Sequence, residues 1–423
     1  MRENFYMGGV CGMGMAPLAA FLKEDGREVF GFDDTPNSGI KASLEKLGIG
    51  VSDKIESGRF FDLMVISSAL ARRKNEILKL YPDAKIIRRG ECWAKLCENR
   101  RLTAVVGSHG KSTVSAMIAH ASLKLNLDCG FLIGAVPNDF PMHRYCPEGE
   151  IVVSEIDESD GTIENFHPEV LVALNADLDH TDTYADYARL EDMFARLFAR
   201  TKRKILYPAR DKTLERIARK YAARSRAVET PQDFMGANAA MALAALEETF
   251  GKKFCPSVFE SYKGLLRRQE ILCDGAEIFA MADYAHHPTE IKSFIEWFLG
   301  RHPENPLIFF QPHRYTRTRR FAKDFAEILS EFSERATVAL LPVYPASETY
   351  DANGSSRAIF DLCREGSIML VKPEDFGNII DAFKTKNAGA KINMAIVGAG
   401  DFYFEAKNYF LKQNEKASKN SRF

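Results

Sequence analysis

The sequence predicts an α/β fold built on parallel sheets, and three observations carry that prediction. Apolar segments of strand length alternate with helix-length segments along the whole chain, the pattern of βαβ units rather than of hairpins. Two strands run straight into glycine-rich turns that open helices, around residues 8–14 and 107–110. Several strands end on polar residues, at the edge where open parallel sheets bind ligands. A length of 423 residues suggests two to four domains, and the chain divides into consecutive segments 1–100, 101–266 and 267–423.

Composition narrows the class. The chain is 46% hydrophobic and 27% charged with a formal net charge of −1, a globular balance. No basic excess supports a nucleic-acid partner, and no apolar run is long enough to insert in a membrane. The N-terminus enters a glycine loop with no cationic and apolar leader, so no signal peptide is expected. Eight cysteines occur without a Cys-x-x-Cys pair, which argues against a zinc knuckle or redox motif and for reduced thiols in the cytoplasm.

The first segment reads as a Rossmann-like unit. A short strand, Phe5-Tyr6-Met7, meets the loop Gly8-Gly9-Val10-Cys11-Gly12-Met13-Gly14, and a helix follows through Leu22. A second strand over 28–32 ends at Asp33, and a buried strand over 63–66 leads to Ser67. With Cys11 in place of the second glycine of G-x-G-x-x-G, a UDP-type diphosphate is favoured over a nicotinamide cofactor.

The second segment carries Ala104-Val105-Val106-Gly107-Ser108-His109-Gly110-Lys111-Ser112-Thr113, a strand running into a phosphate cradle. Gly107 and Gly110 let backbone N–H groups turn toward anionic oxygens, Lys111 supplies a point charge, and Ser112 or Thr113 can hold Mg²⁺. Residues 114–125 look helical, so phosphates also meet a helix N-terminus. Val105 stands where G-x-x-x-x-G-K-[ST] has its first glycine. A strand over 150–154 delivers Glu155, and one over 170–174 delivers Asn175, Asp177, Asp179 and His180, which suits a magnesium–nucleotide site. The Arg, Lys and Ala-rich stretch 209–230 reads as a solvated surface helix, and 238–248 as an alanine-rich helix.

The third segment reads as another open parallel sheet. Its strands over 277–282, 307–310, 336–341 and 394–397 meet, in turn, Asp283, the run 311–319, Val343-Tyr344-Pro345 and Gly398-Ala399-Gly400. Arg319 and Arg320 read as solvated, and the polar tail from Lys412 as disordered.

Seven segments, in order over nearly the whole chain, resemble the Mur ligases, ATP-dependent amide-forming enzymes of peptidoglycan synthesis. They are Gly9-Val10-Cys11-Gly12-Met13-Gly14-Met15, Val65-Ile66-Ser67-Ser68-Ala69, Gly107-Ser108-His109-Gly110-Lys111-Ser112-Thr113 and Glu155-Ile156-Asp157-Glu158-Ser159-Asp160. Then come Asp179-His180-Thr181-Asp182-Thr183-Tyr184, Asp283-Tyr284-Ala285-His286-His287-Pro288-Thr289-Glu290 and Gln311-Pro312-His313-Arg314-Tyr315-Thr316-Arg317-Thr318.

The resemblance implies three domains: a Rossmann-like N-terminal domain for the UDP-sugar, a central P-loop ATPase-like parallel sheet for ATP and Mg²⁺, and a Rossmann-like C-terminal domain admitting the amine. It implies attack of the lactyl carboxylate of UDP-N-acetylmuramate on the γ-phosphorus of ATP, then attack of an amine on the acyl phosphate. It thereby implies a part in cell-wall synthesis, cell shape and cell division. By the motif match, residues 107–113 cradle ATP, with Lys111 neutralising the β- and γ-phosphates. Ser112, Glu155 and His180 match the magnesium site, and Asn238 the adenine contact. Arg268 and Asp283 match a pair contacting the nucleotide, while His286, Arg314 and Arg317 match residues of the acyl-phosphate and amino-acid pocket. Two arginines three apart can clamp a carboxylate. Residues 9–14 match the diphosphate loop, with Asp33 and Ser67 beside it.

Three departures bear on substrate. Cys11 resembles the branch that joins a recycled tripeptide to UDP-N-acetylmuramate, whereas 311–318 resembles the branch that joins L-alanine, so the amine stays open between an amino acid and a short peptide. The stretch between Arg210 and Asn238 is short, with Phe234-Met235 where the family carries a His-Asn pair. Ser108 and Ser112 replace threonines and keep the hydroxyls. A sugar-nucleotide-binding protein without turnover is the alternative outside the enzymes.

Overall fold

The computed structural model describes residues 3–157, 161–176, 187–346, 348–387 and 390–420. Three sheets organise them. The first contains β1 (Asn4–Gly8), β2 (Glu28–Phe32), β3 (Gly50–Ser52), β4 (Leu63–Ile66) and β5 (Ile86–Arg88) in the order β3-β2-β1-β4-β5. All its pairings are parallel. The strand order reverses between β1 and β4, the crevice where such sheets take ligands, and the loop after Gly8 and residue Ser67 both sit at that edge.

The second sheet contains β6 (Arg101–Val106), β7 (Gly130–Leu132), β8 (His143–Arg144), β9 (Ile151–Glu155), β10 (Val170–Ala173), β11 (Lys204–Pro208) and β12 (Ser225–Val228). Its order is β12-β11-β10-β6-β9-β7-β8, parallel except for β8, which runs antiparallel at the edge. The third contains β13 (Glu270–Asp274), β14 (Ile278–Asp283), β15 (Pro306–Phe310), β16 (Thr337–Leu340), β17 (Met369–Leu370) and β18 (Ile392–Val397). Its order is β13-β14-β18-β15-β16-β17, with β13 antiparallel at the edge. The α/β class is as predicted, while the two antiparallel edge strands are additions. Each is a short partner laid on one side of a parallel sheet: β8 is two polar residues, and the apolar run of β13, Ile271-Leu272-Cys273, is too short to carry a strand signal.

Two other expectations are corrected. Residues 209–230 do not form one helix: the α-helix Lys212–Ala218 is followed by a 3₁₀ turn with a non-helical Tyr221, and then by β12. Pairing of Ser225–Val228 with β11 overrides local helix propensity there. The tail from Lys412 continues the helix Phe402–Asn420, which is anchored by Phe402, Tyr403, Ala406 and Phe410 in the core of the third sheet.

The chain forms two compact units, Met1–Lys263 and Gly264–Phe423. In the first unit, β1 and β4 share one hydrophobic core with β6, β9 and β10. Trp93 is central to it: the indole is buried, meets Phe21 edge-on at 5.0 Å, and donates through Nε1 to Ser154 Oγ at 3.0 Å. A buried indole needs such a partner for its N–H. Gly90, one turn earlier on the same helix, lies against Thr162, where a Cβ would collide with the hydroxyl. The second unit buries phenylalanines on both faces of its sheet, Phe310 and Phe325 on one and Phe309 and Phe402 on the other. All eight cysteines carry free thiols. No helix among the described residues is long and apolar enough to cross a membrane.

Candidate functional site

The phosphate loop leaves β6 between two parallel neighbours, β9 and β10, so three strand ends converge on it. Gly107 and Gly110 have φ of +135° and +84°, backbone that side chains rarely adopt. A Cβ on Gly110 would lie 2.7 Å from Asn238 Oδ1, so the position has no room for one either. The helix Lys111–Lys124 starts at Gly110 with no side-chain cap, so the positive end of its dipole faces the loop. Lys111 Nζ donates to Gly107 O at 2.6 Å, which curls the ammonium over the loop. Ser112 and Thr113 occupy the first turn, Thr113 buried and Ser112 partly exposed.

Asn175, noted in the sequence only as a strand-end residue, proves to be the staple of this loop. Its Oδ1 accepts from His109 N and its Nδ2 donates to His109 O, both at 3.0 Å. Asn175→Ala removes both bonds, and at about 1 kcal/mol each the loop loses roughly 2 kcal/mol of preorganisation. The expected result is an ATP KM raised about tenfold or more in steady-state kinetics, with the sugar-nucleotide KM unchanged.

Glu155 ends β9 opposite Val105 of β6. Its Oε1 packs on Gly134, where any Cβ would collide with it. Its Oε2 is buried with no hydrogen-bond partner among the described residues. A buried carboxylate oxygen without a donor is costly unless a cation meets it. Oxygen donors suit Mg²⁺, and Glu155 with the Ser112 hydroxyl supplies two. His180, with Asp177 and Asp179, lies outside the described residues, as do 158–160 and 181–184. Among the described residues no group of three or more His, Cys, Asp or Glu forms a metal cluster. Asn238 lies on the helix Phe234–Phe250, which Asp233 caps by accepting from Gly236 N at 2.9 Å. Its amide is buried against Gly110, and Nδ2 has no partner among the described residues.

The N-terminal loop is a second cradle. Gly9 has φ +72°, and a Cβ there would sit 2.6 Å from Ser67 Oγ. Asp33 holds the loop through its backbone: Oδ2 accepts from Cys11 N at 3.0 Å and Oδ1 from Thr35 N at 3.1 Å. Gly12 N closes onto Gly9 O, and the helix Met15–Glu24 begins behind Gly14 with no side-chain cap. The Cys11 thiol faces the core, where burial and then Asp33 push it up to about 11, so it stays a neutral packing group. Val10 is also buried, nested over Gly31, while Met13 is exposed. Sequence reading missed Arg89. Its guanidinium covers Gly14, where a Cβ would lie 3.0 Å from Nη1, and it stands 3.9 Å from Asp157 Oδ2.

In the second unit, Asp283 ends β14 with both oxygens engaged, Oδ2 by Gln269 N at 2.9 Å and Oδ1 by Ala285 N at 2.8 Å. Burial raises it to about 6, although Arg268 and these amides pull the other way. Arg268 lies over the Tyr284 ring at 5.1 Å and 3.9 Å from Glu290 Oε1. Arg267, absent from the sequence-based set, donates through Nη2 to Gly398 O at 3.1 Å and Gly400 O at 2.5 Å, joining the segment before β13 to the turn after β18. His286 Nδ1 is 2.9 Å from Tyr284 O and 3.4 Å from Glu290 Oε2. Arg314 does not stand open for a ligand on its Nε edge: Nε donates to Glu348 Oε1 at 2.7 Å. Arg317 follows on the first turn of the helix Tyr315–Phe332, partly exposed. Arg319 is exposed and donates to Asp351, and Arg320 is exposed over the Phe321 ring.

His313 stacks on Tyr344 with ring centroids 5.6 Å apart and sits 6.1 Å from His286. Burial, then His286 and the arginines 317, 314 and 267, push it down to about 3. Its Nδ1 has no partner among the described residues. The unfolded chain therefore binds a proton at this histidine between about pH 6.5 and 3 that the folded chain does not. That contribution to stability is complete above pH 6.5 and is lost as pH falls toward 3. His313→Gln should lose roughly 3 kcal/mol less stability than the parent between pH 6.5 and 4, measured by urea unfolding across pH.

Residues 105–262 match the Mur ligase middle domain. The fold is similar to that of the UDP-N-acetylmuramate–alanine ligase from Thermotoga maritima, with a TM-score of 0.76, 21% identity, and 98% of this chain and 100% of that chain covered. It is similar to a murein peptide ligase from Psychrobacter arcticus, with a TM-score of 0.65, 19% identity, and 97% and 98% covered. A pseudomurein peptide ligase type C from Methanothermus fervidus gives a TM-score of 0.59 at 15% identity, with 97% and 100% covered.

Proposed function

From the match of residues 105–262 to the Mur ligase middle domain, we propose that the chain is an ATP-dependent amide-bond ligase of peptidoglycan synthesis that joins L-alanine to UDP-N-acetylmuramate. The observation that carries this reading is the pair of anion cradles in one compact unit. Each is a glycine turn ahead of a helix N-terminus that its N-cap side chain does not cap, at Gly9–Gly14 and at Gly107–Gly110. One cradle serves a single phosphorylated ligand, and two serve a nucleoside triphosphate and a sugar diphosphate together. Among the described residues only the cradle at Gly107–Gly110 has beside it both a lysine and a carboxylate oxygen with no hydrogen-bond partner, which favours it as the triphosphate side.

In this reading Lys111 and the 107–113 backbone hold the β- and γ-phosphates of ATP. Glu155, Ser112 and His180 hold Mg²⁺, which when bound draws charge from the γ-phosphoryl oxygens. Asn238, buried against the same loop, offers Nδ2 to the nucleotide. In the loop Gly9, Val10, Cys11, Gly12, Met13 and Gly14, the N–H groups of Met13 and Gly14 meet the UDP diphosphate, since those of Gly9 and Val10 donate to Phe32 O, that of Cys11 to Asp33 Oδ2 and that of Gly12 to Gly9 O, while Asp33 and Ser67 keep the turn in shape. In the second unit Arg268 and Asp283 contact nucleotide, and His286, Arg314 and Arg317 orient the acyl phosphate and the carboxylate of the amine. The carboxylate of UDP-N-acetylmuramate displaces ADP at the γ-phosphorus, and the amine then displaces phosphate from the acyl carbon. Segments 1–100, 101–266 and 267–423 act as the sugar-nucleotide, ATP and amine domains, in the cytoplasm, where both nucleotides are made.

The test is phosphate release from ATP with UDP-N-acetylmuramate and each amine. Release with L-alanine supports the proposal. Release with L-alanyl-γ-D-glutamyl-meso-diaminopimelate alone reassigns the chain to peptide recycling. UDP-sugar binding without release in any mixture shows a binding protein and overturns the ligase reading.

A further inference from the structure

Arg314 is held in backbone that a side-chain-bearing residue rarely adopts, with φ +70° and ψ 131°. Such a conformation costs about 1–3 kcal/mol and persists only where its surroundings over-determine it. Here they do. Arg314 N donates to Tyr344 O at 2.8 Å, and Thr318 Oγ1 donates to Arg314 O at 2.9 Å. A further restraint is one carboxylate from a separate loop. Glu348 Oε1 accepts from Arg314 Nε at 2.7 Å and from Thr316 Oγ1 at 2.6 Å, and Glu348 Oε2 accepts from Thr316 N at 3.0 Å.

Glu348 therefore grips the guanidinium and the first turn of the following helix together. Arg314 is the N-cap of that helix and provides no side-chain cap itself, so Glu348 takes the role from outside, with its negative charge at the positive end of the helix dipole. The side chain is 13% exposed. Burial pushes its carboxyl up, but the Thr316 hydroxyl and amide and the Arg314 guanidinium more than offset this and hold it below the usual range. The grip is thus ionised at neutral pH. It takes the Nε edge of Arg314 and so fixes the plane of the guanidinium.

We propose that Glu348 is a positioning residue of the amine site, fixing the direction in which Arg314 presents its guanidinium to the incoming carboxylate. The inference rests on the ligase reading above. A buttress that only stabilised the second unit would change every kinetic constant together, whereas a positioning residue changes one. With ATP and UDP-N-acetylmuramate saturating, Glu348→Ala should raise the KM for the amine about tenfold or more, the worth of a charge-assisted hydrogen bond, and leave the KM for ATP within about twofold. Glu348→Gln keeps an acceptor oxygen and should fall between Ala and the parent. It also carries the test if the alanine variant does not fold.

An amine KM that does not move, or that rises only in step with the ATP KM, overturns the inference while leaving the ligase reading intact. A parent enzyme that turns over no amine overturns that reading, and this inference with it.

Discussion

Lys111→Met is expected to lower kcat for ATP-driven phosphate release by roughly 10²–10³-fold, the usual effect of removing one preorganised donor from developing transition-state charge. Methionine preserves most of the aliphatic length, so the loop keeps its packing. It gives up the bond to Gly107 O, worth about 1 kcal/mol. The loop itself is held elsewhere, by the Asn175 amide on both sides of His109 and by the turn at Gly107 and Gly110. Stability should therefore barely change while chemistry collapses. Phosphoryl transfer between two anions asks for charge neutralisation more than covalent catalysis, so an ammonium over this loop has a large share of the work. The second cradle is the internal control. Its shape depends on Asp33 and the Gly9–Ser67 contact, so UDP-sugar affinity, measured by calorimetry, should match the parent. Turnover by Lys111→Met at the parental kcat would remove Lys111 from the mechanism.

What could be read from the sequence was contiguous in it. Gly107, Gly110 and Lys111 announce a phosphate cradle because turn, charge and helix start are local properties of ten residues. The residues that make the cradles rigid were not legible, because each acts at a distance on backbone. Asn175 comes from just beyond the end of β10 and binds both backbone polar atoms of His109. Arg89 starts a helix after β5 and lies over Gly14. Glu348 reaches Arg314 and Thr316 from 32 residues or more away. None belongs to a recognisable motif, and a lone Asn, Arg or Glu carries no period or spacing. Cys11 shows the converse. Its position in the glycine loop suggested a ligand-facing residue, yet the N–H that bonds Asp33 turns the thiol into the core. The run 209–230 misled for a third reason: Arg, Lys and Ala favour helix locally, but the open edge of β11 takes Ser225–Val228 as a strand.

The buried oxygen of Glu155 makes a prediction that reverses sign with the metal. In the absence of Mg²⁺, the parent keeps a carboxylate oxygen buried without a hydrogen-bond partner among the described residues, while Oε1 packs on Gly134. Glu155→Gln has nearly the same shape and no charge, so metal-free it should be as stable as the parent or more so, because an uncompensated charge is the costlier group to bury. Added Mg²⁺ then separates the two. A ligand that binds only the folded state stabilises it by about 2.7 kcal/mol at a hundred times its dissociation constant, so the parent's Tm should climb with Mg²⁺ while the variant's stays nearly flat. The stability order inverts as the metal is titrated, which a mere packing role for Glu155 would not produce. Turnover should follow, with kcat in the variant down about 10²-fold and Mg²⁺ activation shifted to higher concentration. Parallel Tm curves for the two proteins across the titration would place the metal elsewhere and leave the Glu155 oxygen without its cation.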